Sequence, residues 1–147
     1  MKRYSRHFRV QAPIDCVAAF HNDAQVLKQL TPPPIFISFN EIQPREENSI
    51  TDFTMWLGLL PLRWIAVYSD VDSTNGFTDR QVKGPFKEWV HRHTFISENP
   101  NTTEIIDKIQ ANPSNHPIWG FVSRLIWLNM PPFFTYRAWI TRRALER

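Results

Sequence analysis

A turn that leads directly into a strand is predicted by the stretch KGPFKEWVHRHTF, residues 83–95. Side chains alternate between the two faces of a strand. One face of this strand therefore carries two large aromatics and two histidines, Trp89, His91, His93 and Phe95. The other face carries Arg92, which is costly to bury without a partner and so indicates the solvent side. The histidine face is expected to point into the protein, where a partly buried polar surface is typical of a lined cavity.

The composition is that of one ordinary domain, predicted to span residues 1–147. The chain is 42% hydrophobic and 14% aromatic, which is ample for a core. The formal net charge of +3 is concentrated near the two ends and indicates a solvated surface, so no nucleic-acid partner is expected. The single Cys16 excludes an internal disulfide and is typical of a reducing compartment. Because the first residues lack an apolar signal segment, we expect a cytoplasmic location.

Turn residues divide the chain into short predicted elements. Residues 4–10 form a first strand, and apolar residues at helical spacing predict two short helices between residues 14 and 30, with Asp23 as an N-cap between them. Six strand-like runs with short connections follow between residues 35 and 111, which predicts an antiparallel meander. The last thirty residues are predicted to be helical, with a kink or division at Pro131-Pro132.

This order of elements predicts an α+β fold in which a curved antiparallel sheet of about seven strands wraps around a long C-terminal helix. Several short motifs accompany it: Ala12-Pro13, Leu30-Thr31-Pro32-Pro33, Phe77-Thr78-Asp79, Gly84-Pro85-Phe86, Trp89 with His91 and His93, Thr103 with Asp107, and Phe134 with Arg137. In these motifs the chain resembles the START-like, or SRPBCC, superfamily of helix-grip, polyketide cyclase-like proteins, and within it an uncharacterised ligand-binding branch. The resemblance implies a cavity between sheet and helix for a lipid, an isoprenoid or a polyketide-like molecule. The resemblance is specific for the fold. It does not specify the function, because the superfamily hosts carriers, enzymes and regulators.

Hairpin geometry predicts which polar side chains surround His91. If residues 84–86 form the centre of a hairpin, residues whose numbers sum to about 170 face each other, which places Asp79 opposite His91. The next hairpin brings Asp107 beside the same histidine. We therefore expect His91 to be flanked by two aspartates, with His93 one layer away.

Three interpretations of this polar cluster are open. It can be a structural network in which carboxylates satisfy buried imidazoles. It can be the polar end of a ligand cavity. It can also be an acid/base pair, made of His91 or His93 with Asp79 or Asp107, because a nearby carboxylate raises the pKa of an imidazole toward the working range. Both histidines and a carboxylate are suitable metal ligands, but their spacing is unspecific, and neither a metal nor a cofactor is predicted.

Binding of a small hydrophobic ligand is favoured over catalysis. The candidate ligand-binding residues are Trp56, Trp64, Tyr68, Asp79, Gln81 (expected opposite Trp89), Trp89, His91, His93, Phe95, Asp107, Phe121 and Leu125. The first alternative is an enzyme of cyclase or dehydratase type that uses the histidine and aspartate residues above. The second is a membrane-associated accessory protein that docks peripherally through an aromatic tip, Trp127 and residues 131–134, beside the terminal arginines. The apolar stretch 118–134 is too short and too broken by polar residues to span a bilayer.

Overall fold

The computed structural model describes residues 1–146 and consists of one antiparallel sheet with helices at two places in the chain. The strands are β1 (Lys2–Val10), β2 (Phe36–Ile42), β3 (Ile50–Leu57), β4 (Leu60–Asp72), β5 (Gly76–Lys83), β6 (Phe86–Asn99) and β7 (Thr102–Pro113). The helices are α1 (Ile14–Asn22), a short 3-10 helix (Ala24–Val26), α2 (Leu27–Leu30), α3 (Pro117–Leu128) and α4 (Met130–Leu145). The predicted α+β architecture with about seven strands is confirmed.

The sheet has the strand order β1-β7-β6-β5-β4-β3-β2, so β2 to β7 form the predicted meander. The first strand returns to the far edge and pairs with β7, from Lys2 opposite Ala111 to Val10 opposite Thr103. The pairing of β4 with β5 shifts register twice, after Ile65 and after Ser69. Such bulges bend a strand and increase its twist, which gives the sheet a concave face.

The helices after β1 cross one end of this concave face. Helix α1 buries Val17 and Ala18 against the sheet. The Asp23 carboxylate accepts a hydrogen bond of 3.0 Å from the backbone N–H of Gln25, which satisfies a free donor at the start of the 3-10 helix. The predicted N-cap is confirmed, and it orients the segment that carries Val26 and Leu30 toward the interior.

Two helices, rather than one, follow the sheet. The imidazole of His116 caps α3 by accepting hydrogen bonds of 3.1 and 3.3 Å from the next two free backbone N–H groups. The helical conformation is interrupted at Asn129. Pro131 and Pro132 then occupy the first turn of α4, where a missing N–H costs no intrahelical hydrogen bond. The predicted division of the last helix is confirmed. No helix within residues 1–146 has the length and apolarity needed to cross a bilayer.

The apolar core consists of two clusters. The first joins the sheet to α3 and α4 and includes Phe53, Trp64, Trp89, Ile126 and Phe134. The second joins β1, β6 and β7 to α1 and α4 and includes Val10, Val17, Phe95, Ile105 and Ala138. Strand β6 contributes to both, so its two histidines lie between the clusters, where the apolar packing is interrupted.

Candidate functional site

The inward face of β6 is the one that the sequence predicts. Trp89, His91, His93 and Phe95 are all buried, and the residues between them are half-buried. Arg92 on the outer face donates hydrogen bonds to the carbonyl of Asp70 at 3.0 Å and to the hydroxyl of Thr78 at 3.3 Å. The register places Asp79 opposite His91 and Asp107 opposite His93. The predicted convergence of two histidines and two aspartates is therefore present.

The four side chains form a closed ring. Nε2 of His91 lies 2.8 Å from Oδ1 of Asp107, and Nε2 of His93 lies 2.6 Å from Oδ2 of Asp79. The two imidazoles stack with 3.7 Å between their centroids. Nδ1 of His91 is 3.8 Å from Asp79, and Nδ1 of His93 is 3.5 Å from Asp107. His93 lies in the next layer along the strand, as expected, but it is also a member of the ring, because it and not His91 makes the short bond to Asp79.

The electrostatics of the ring favour charged aspartates. Burial raises the pKa of Asp107, but the hydrogen bond and charge of His91 outweigh it and bring the pKa down to about 2. Burial also raises the pKa of Asp79, but the hydrogen bond from His93 and the charges of the histidines outweigh it, so this pKa lies below its usual value. Burial, followed by the charge of neighbouring His91, lowers the pKa of His93 to about 3. At neutral pH both carboxylates are ionised and accept from the Nε2–H groups, while His93 is uncharged.

An amphipathic cavity of about 170 Å³ opens beside this ring, between the concave face of the sheet and the helices. Its apolar wall includes Leu27, Phe53, Met55, Trp64, Ile126 and Phe133. Its polar wall is formed by His21, Arg45, Asp79, His91, His93 and Arg137. The two walls together give a site that can bury an apolar body and orient a polar group.

Six of the predicted ligand-binding residues line the cavity: Trp64, Tyr68, Asp79, Trp89, His91 and His93. Asp107 lies behind the histidines and is hydrogen-bonded to His91. Phe95 lies in the second apolar cluster, where its ring is 4.9 Å from that of His21. Both residues support the polar wall, and a ligand-binding role for the six lining residues stays a prediction.

Two predicted ligand-binding residues, Trp56 and Gln81, do not line the cavity. The cavity side of β3 carries the odd-numbered residues Phe53 and Met55, so Trp56 is on the opposite face, where its indole donates to the Ser38 hydroxyl at 3.0 Å. The amide of Gln81 makes two hydrogen bonds to the backbone of Phe86, at 2.8 and 3.1 Å, and closes the β5–β6 turn. The regular pairing of these strands ends before Gln81 reaches Trp89, so the expected facing of this pair is wrong.

Helix α3 packs against the sheet with a different side from the one predicted. Phe121 and Leu125 are 68% and 46% exposed, whereas Val122 and Ile126 are buried. Both sides of α3 are apolar, so helical spacing alone does not decide which side faces the sheet. Phe133 and Phe134 also differ from the expectation of an exposed aromatic tip, because both line the cavity.

Sequence reasoning missed three residues of the polar wall: His21, Arg45 and Arg137. His21 is four residues after buried Val17 on α1, and its Nδ1–H donates to the Val17 carbonyl at 2.8 Å. Arg137 follows Phe134 by three residues on the inward side of α4, a spacing that could have indicated it. Arg45 lies in the polar turn between β2 and β3, where no sequence pattern indicates that its side chain faces the cavity.

The pKa of the His21 imidazole falls to about 4, mainly because of burial. The hydrogen bond to Val17 and the charge of Asp107 oppose this shift, and the charges of both arginines add to it. Arg137 likewise has a lowered pKa because of burial, opposed by the nearby charges of Asp107 and Asp79. The polar wall is thus one coupled group of charges rather than scattered side chains.

No protein-family model matches the sequence, and no curated protein matches it either. Solved structures do match. The Zhui aromatase/cyclase from Streptomyces sp. R1128 is 11% identical, with a TM-score of 0.79 over 99% of this chain and 94% of that chain. A START superfamily protein from Mycobacterium smegmatis is 12% identical, with a TM-score of 0.69 over 98% and 97%. The chain has the START-like, helix-grip fold.

Norcoclaurine synthase from Thalictrum flavum, solved in complex with dopamine and hydroxybenzaldehyde, is another structure with this fold. It is 14% identical to this chain, with a TM-score of 0.71 over 97% of this chain and 85% of that chain. The predicted superfamily resemblance is therefore confirmed at the level of the fold.

The free energy of unfolding is expected to fall as the pH is lowered from about 6.5 to about 4. The folded-state pKa values of His21 and His93, about 4 and 3, lie below the ordinary value of 6.5. In this window the unfolded chain therefore binds protons that the folded chain does not, which costs up to about 1.4 kcal/mol per pH unit for each histidine. Urea titrations between pH 7.5 and 4.5 measure the slope.

The His21→Gln variant should have a shallower pH dependence, because one of the two titrating groups is gone. His7→Gln is the matched control, since His7 is exposed and pairs with Glu104 on the outside of the sheet. A stability that does not change across this window in the wild-type protein would contradict the assignment of neutral, buried histidines.

Proposed function

We propose that this protein binds a small hydrophobic molecule that carries a polar group, in the cavity between the sheet and the C-terminal helices. The observation that supports this function is the division of the cavity into an apolar wall and a polar wall. Burial of the apolar body supplies affinity at about 25 cal/mol per Å². The polar wall orients the ligand, because a polar group placed against Leu27 or Trp64 would lose its hydrogen bonds.

The size of the cavity limits the ligand. A volume of about 170 Å³ is close to the ~150 Å³ of an apolar cavity that takes up benzene, and below the roughly 300–1,000 Å³ of pockets for drug-sized molecules. A molecule of one or two rings, or a short chain, fits this space. The dopamine and hydroxybenzaldehyde bound by the norcoclaurine synthase of this fold are molecules of that size.

The ring of histidines and aspartates gives more support to binding than to acid/base catalysis. Each imidazole donates its Nε2–H to an aspartate, at 2.8 Å for His91 and 2.6 Å for His93, so these two nitrogens are engaged within the protein. A general base must reach the proton that it removes from the substrate. The Nε2 atoms of His91 and His93, which Asp107 and Asp79 hold, are not free for that step.

Calorimetric titration with 2-naphthamide, an uncharged two-ring probe, tests the proposed function. We expect binding to the wild-type protein and at least tenfold weaker binding to Ala66→Leu, because Ala66 lines the cavity and the larger side chain would fill much of it. Ala19→Leu adds the same atoms on the exposed side of α1 and is the matched control. Equal affinity of wild-type protein and Ala66→Leu, or no binding to the wild-type protein, would contradict the proposal.

A further inference from the structure

Among residues 1–146, no group forms a hydrogen bond or an ion pair with the guanidinium of Arg137. Arg137 lies on α4, lines the cavity, and has its Cζ atom 5.2 Å from the ring centre of Phe134. Its side chain makes neither a hydrogen bond nor an ion pair with any group of residues 1–146, although Asp79 and Asp107 are near enough to influence its charge. An arginine has five N–H donors, and those of Arg137 are not among the buried side-chain atoms that lack a partner within residues 1–146, so they stay accessible to a group bound in the cavity.

Arg45 presents a second guanidinium to the same polar wall. Its Cζ atom lies 4.3 Å from the ring centre of Tyr68 and 4.1 Å from that of Phe77, so the cation is held between two aromatic faces. One Nη1–H donates to the backbone carbonyl of His21 at 2.8 Å. Within the part of the chain that the structure describes, no carboxylate forms an ion pair with this arginine. The aromatic contacts fix its position and leave other donors available.

The two carboxylates of the ring, in contrast, each already accept a hydrogen bond from a histidine. Asp79 accepts from His93 and Asp107 accepts from His91, in hydrogen bonds of 2.6 and 2.8 Å. The two arginines, by contrast, keep N–H donors at this end of the cavity that have no partner among residues 1–146. A ligand group that complements this wall has to bring acceptor atoms.

We propose that the polar group of the ligand is a carboxylate, bound by Arg137 together with Arg45. This inference rests on the proposed binding function and specifies the ligand as a small aromatic or aliphatic carboxylic acid. A carboxylate matches the planar fork of a guanidinium with two parallel hydrogen bonds, which are stronger than bonds to a neutral carbonyl. A single negative charge also fits better than the double charge of a phosphate, because Asp79 and Asp107 lie close by and repel anions.

The test compares 2-naphthoate with 2-naphthamide, which have nearly the same shape and differ in charge. Calorimetric titrations at pH 7.5 should give at least tenfold tighter binding of the acid to the wild-type protein. Arg137→Gln should remove most of this preference while the affinity for the amide changes little. Arg124→Gln, on the exposed side of α3, is the matched control and should keep the preference.

The wild-type comparison needs no variant, so it decides the inference even if Arg137→Gln folds poorly. Equal or weaker binding of the acid, with clear binding of the amide, would overturn the carboxylate and leave the hydrophobic binding site intact. Binding of neither probe would overturn the proposed function, and this inference with it. An Arg137→Gln protein that is folded by circular dichroism and still prefers the acid tenfold would show that Arg137 does not recognise the charge.

Discussion

Replacing Gly76 with alanine is expected to destabilise the protein by about 2–6 kcal/mol, a large part of the roughly 5–15 kcal/mol that holds a domain of this size together. Gly76 begins β5 with a φ of +129°, a conformation that other residues rarely adopt. A Cβ atom there would lie 2.0 Å from the carbonyl oxygen of His93 and 2.9 Å from its carbonyl carbon. Both are backbone atoms, so a side-chain movement cannot relieve the collision, and β5 would have to separate from β6. Urea unfolding followed by tryptophan fluorescence measures the loss.

Gly58→Ala is the matched control for this prediction. Gly58 also has a positive φ, +64°, but a Cβ atom built there has no other atom within 4 Å. Only the conformational cost applies, so we expect a loss of about 1 kcal/mol. If both variants lose the same stability, the close approach of Gly76 to β6 is not what makes glycine necessary.

The second large effect is expected from Asp107→Ala, which should cost about 3–5 kcal/mol of the free energy of unfolding. The change removes the acceptor of the His91 Nε2–H bond and leaves a buried donor without a partner. It also removes one of the two negative charges that balance Arg137. Asp107→Asn should lose less than the alanine variant, because an amide oxygen can still accept from His91. The midpoints and slopes of urea unfolding curves measure both variants.

Glu98→Ala provides the control for the loss of a carboxylate. On the outside of the sheet, Nε of Arg9 donates to both carboxylate oxygens of Glu98, at 2.7 and 2.9 Å. Because Arg9 is exposed, the pair is screened by water and its removal should change stability little. A wild-type-like midpoint for Asp107→Ala would mean that the histidine and aspartate ring does not stabilise the fold, and would favour a role for the ring in the chemistry of the ligand.

Much of the polar ring could be predicted from the chain because it depends on local geometry. Alternation along β6 places His91 and His93 on one face, and the short turn at residues 84–86 sets the register that brings Asp79 opposite. In a meander, each strand is positioned by the one before it, so these inferences carry over from hairpin to hairpin. Asp107 is reached by the same reasoning one hairpin later.

The cavity wall was harder to predict where a helix is involved. On α3, Phe121 and Val122 are equally apolar, and only packing against the sheet decides that Val122 is inside. Trp56, on strand β3, was assigned wrongly for a different reason. A large aromatic residue is a natural candidate for a cavity wall, but strand alternation places this one on the outer face.

The order of the elements, the meander and the meeting of two histidines with two aspartates follow from the amino-acid sequence alone, because strand alternation and short turns are local properties. The START-like fold was predicted from the family resemblance of the short motifs. Arg45 and Arg137, from distant parts of the chain, meet at this ring only through tertiary packing. One arginine comes from the β2–β3 turn and the other from α4, and no local rule relates them. The rotation and position of α4 over the concave face bring them together, and these are set by packing across the whole core.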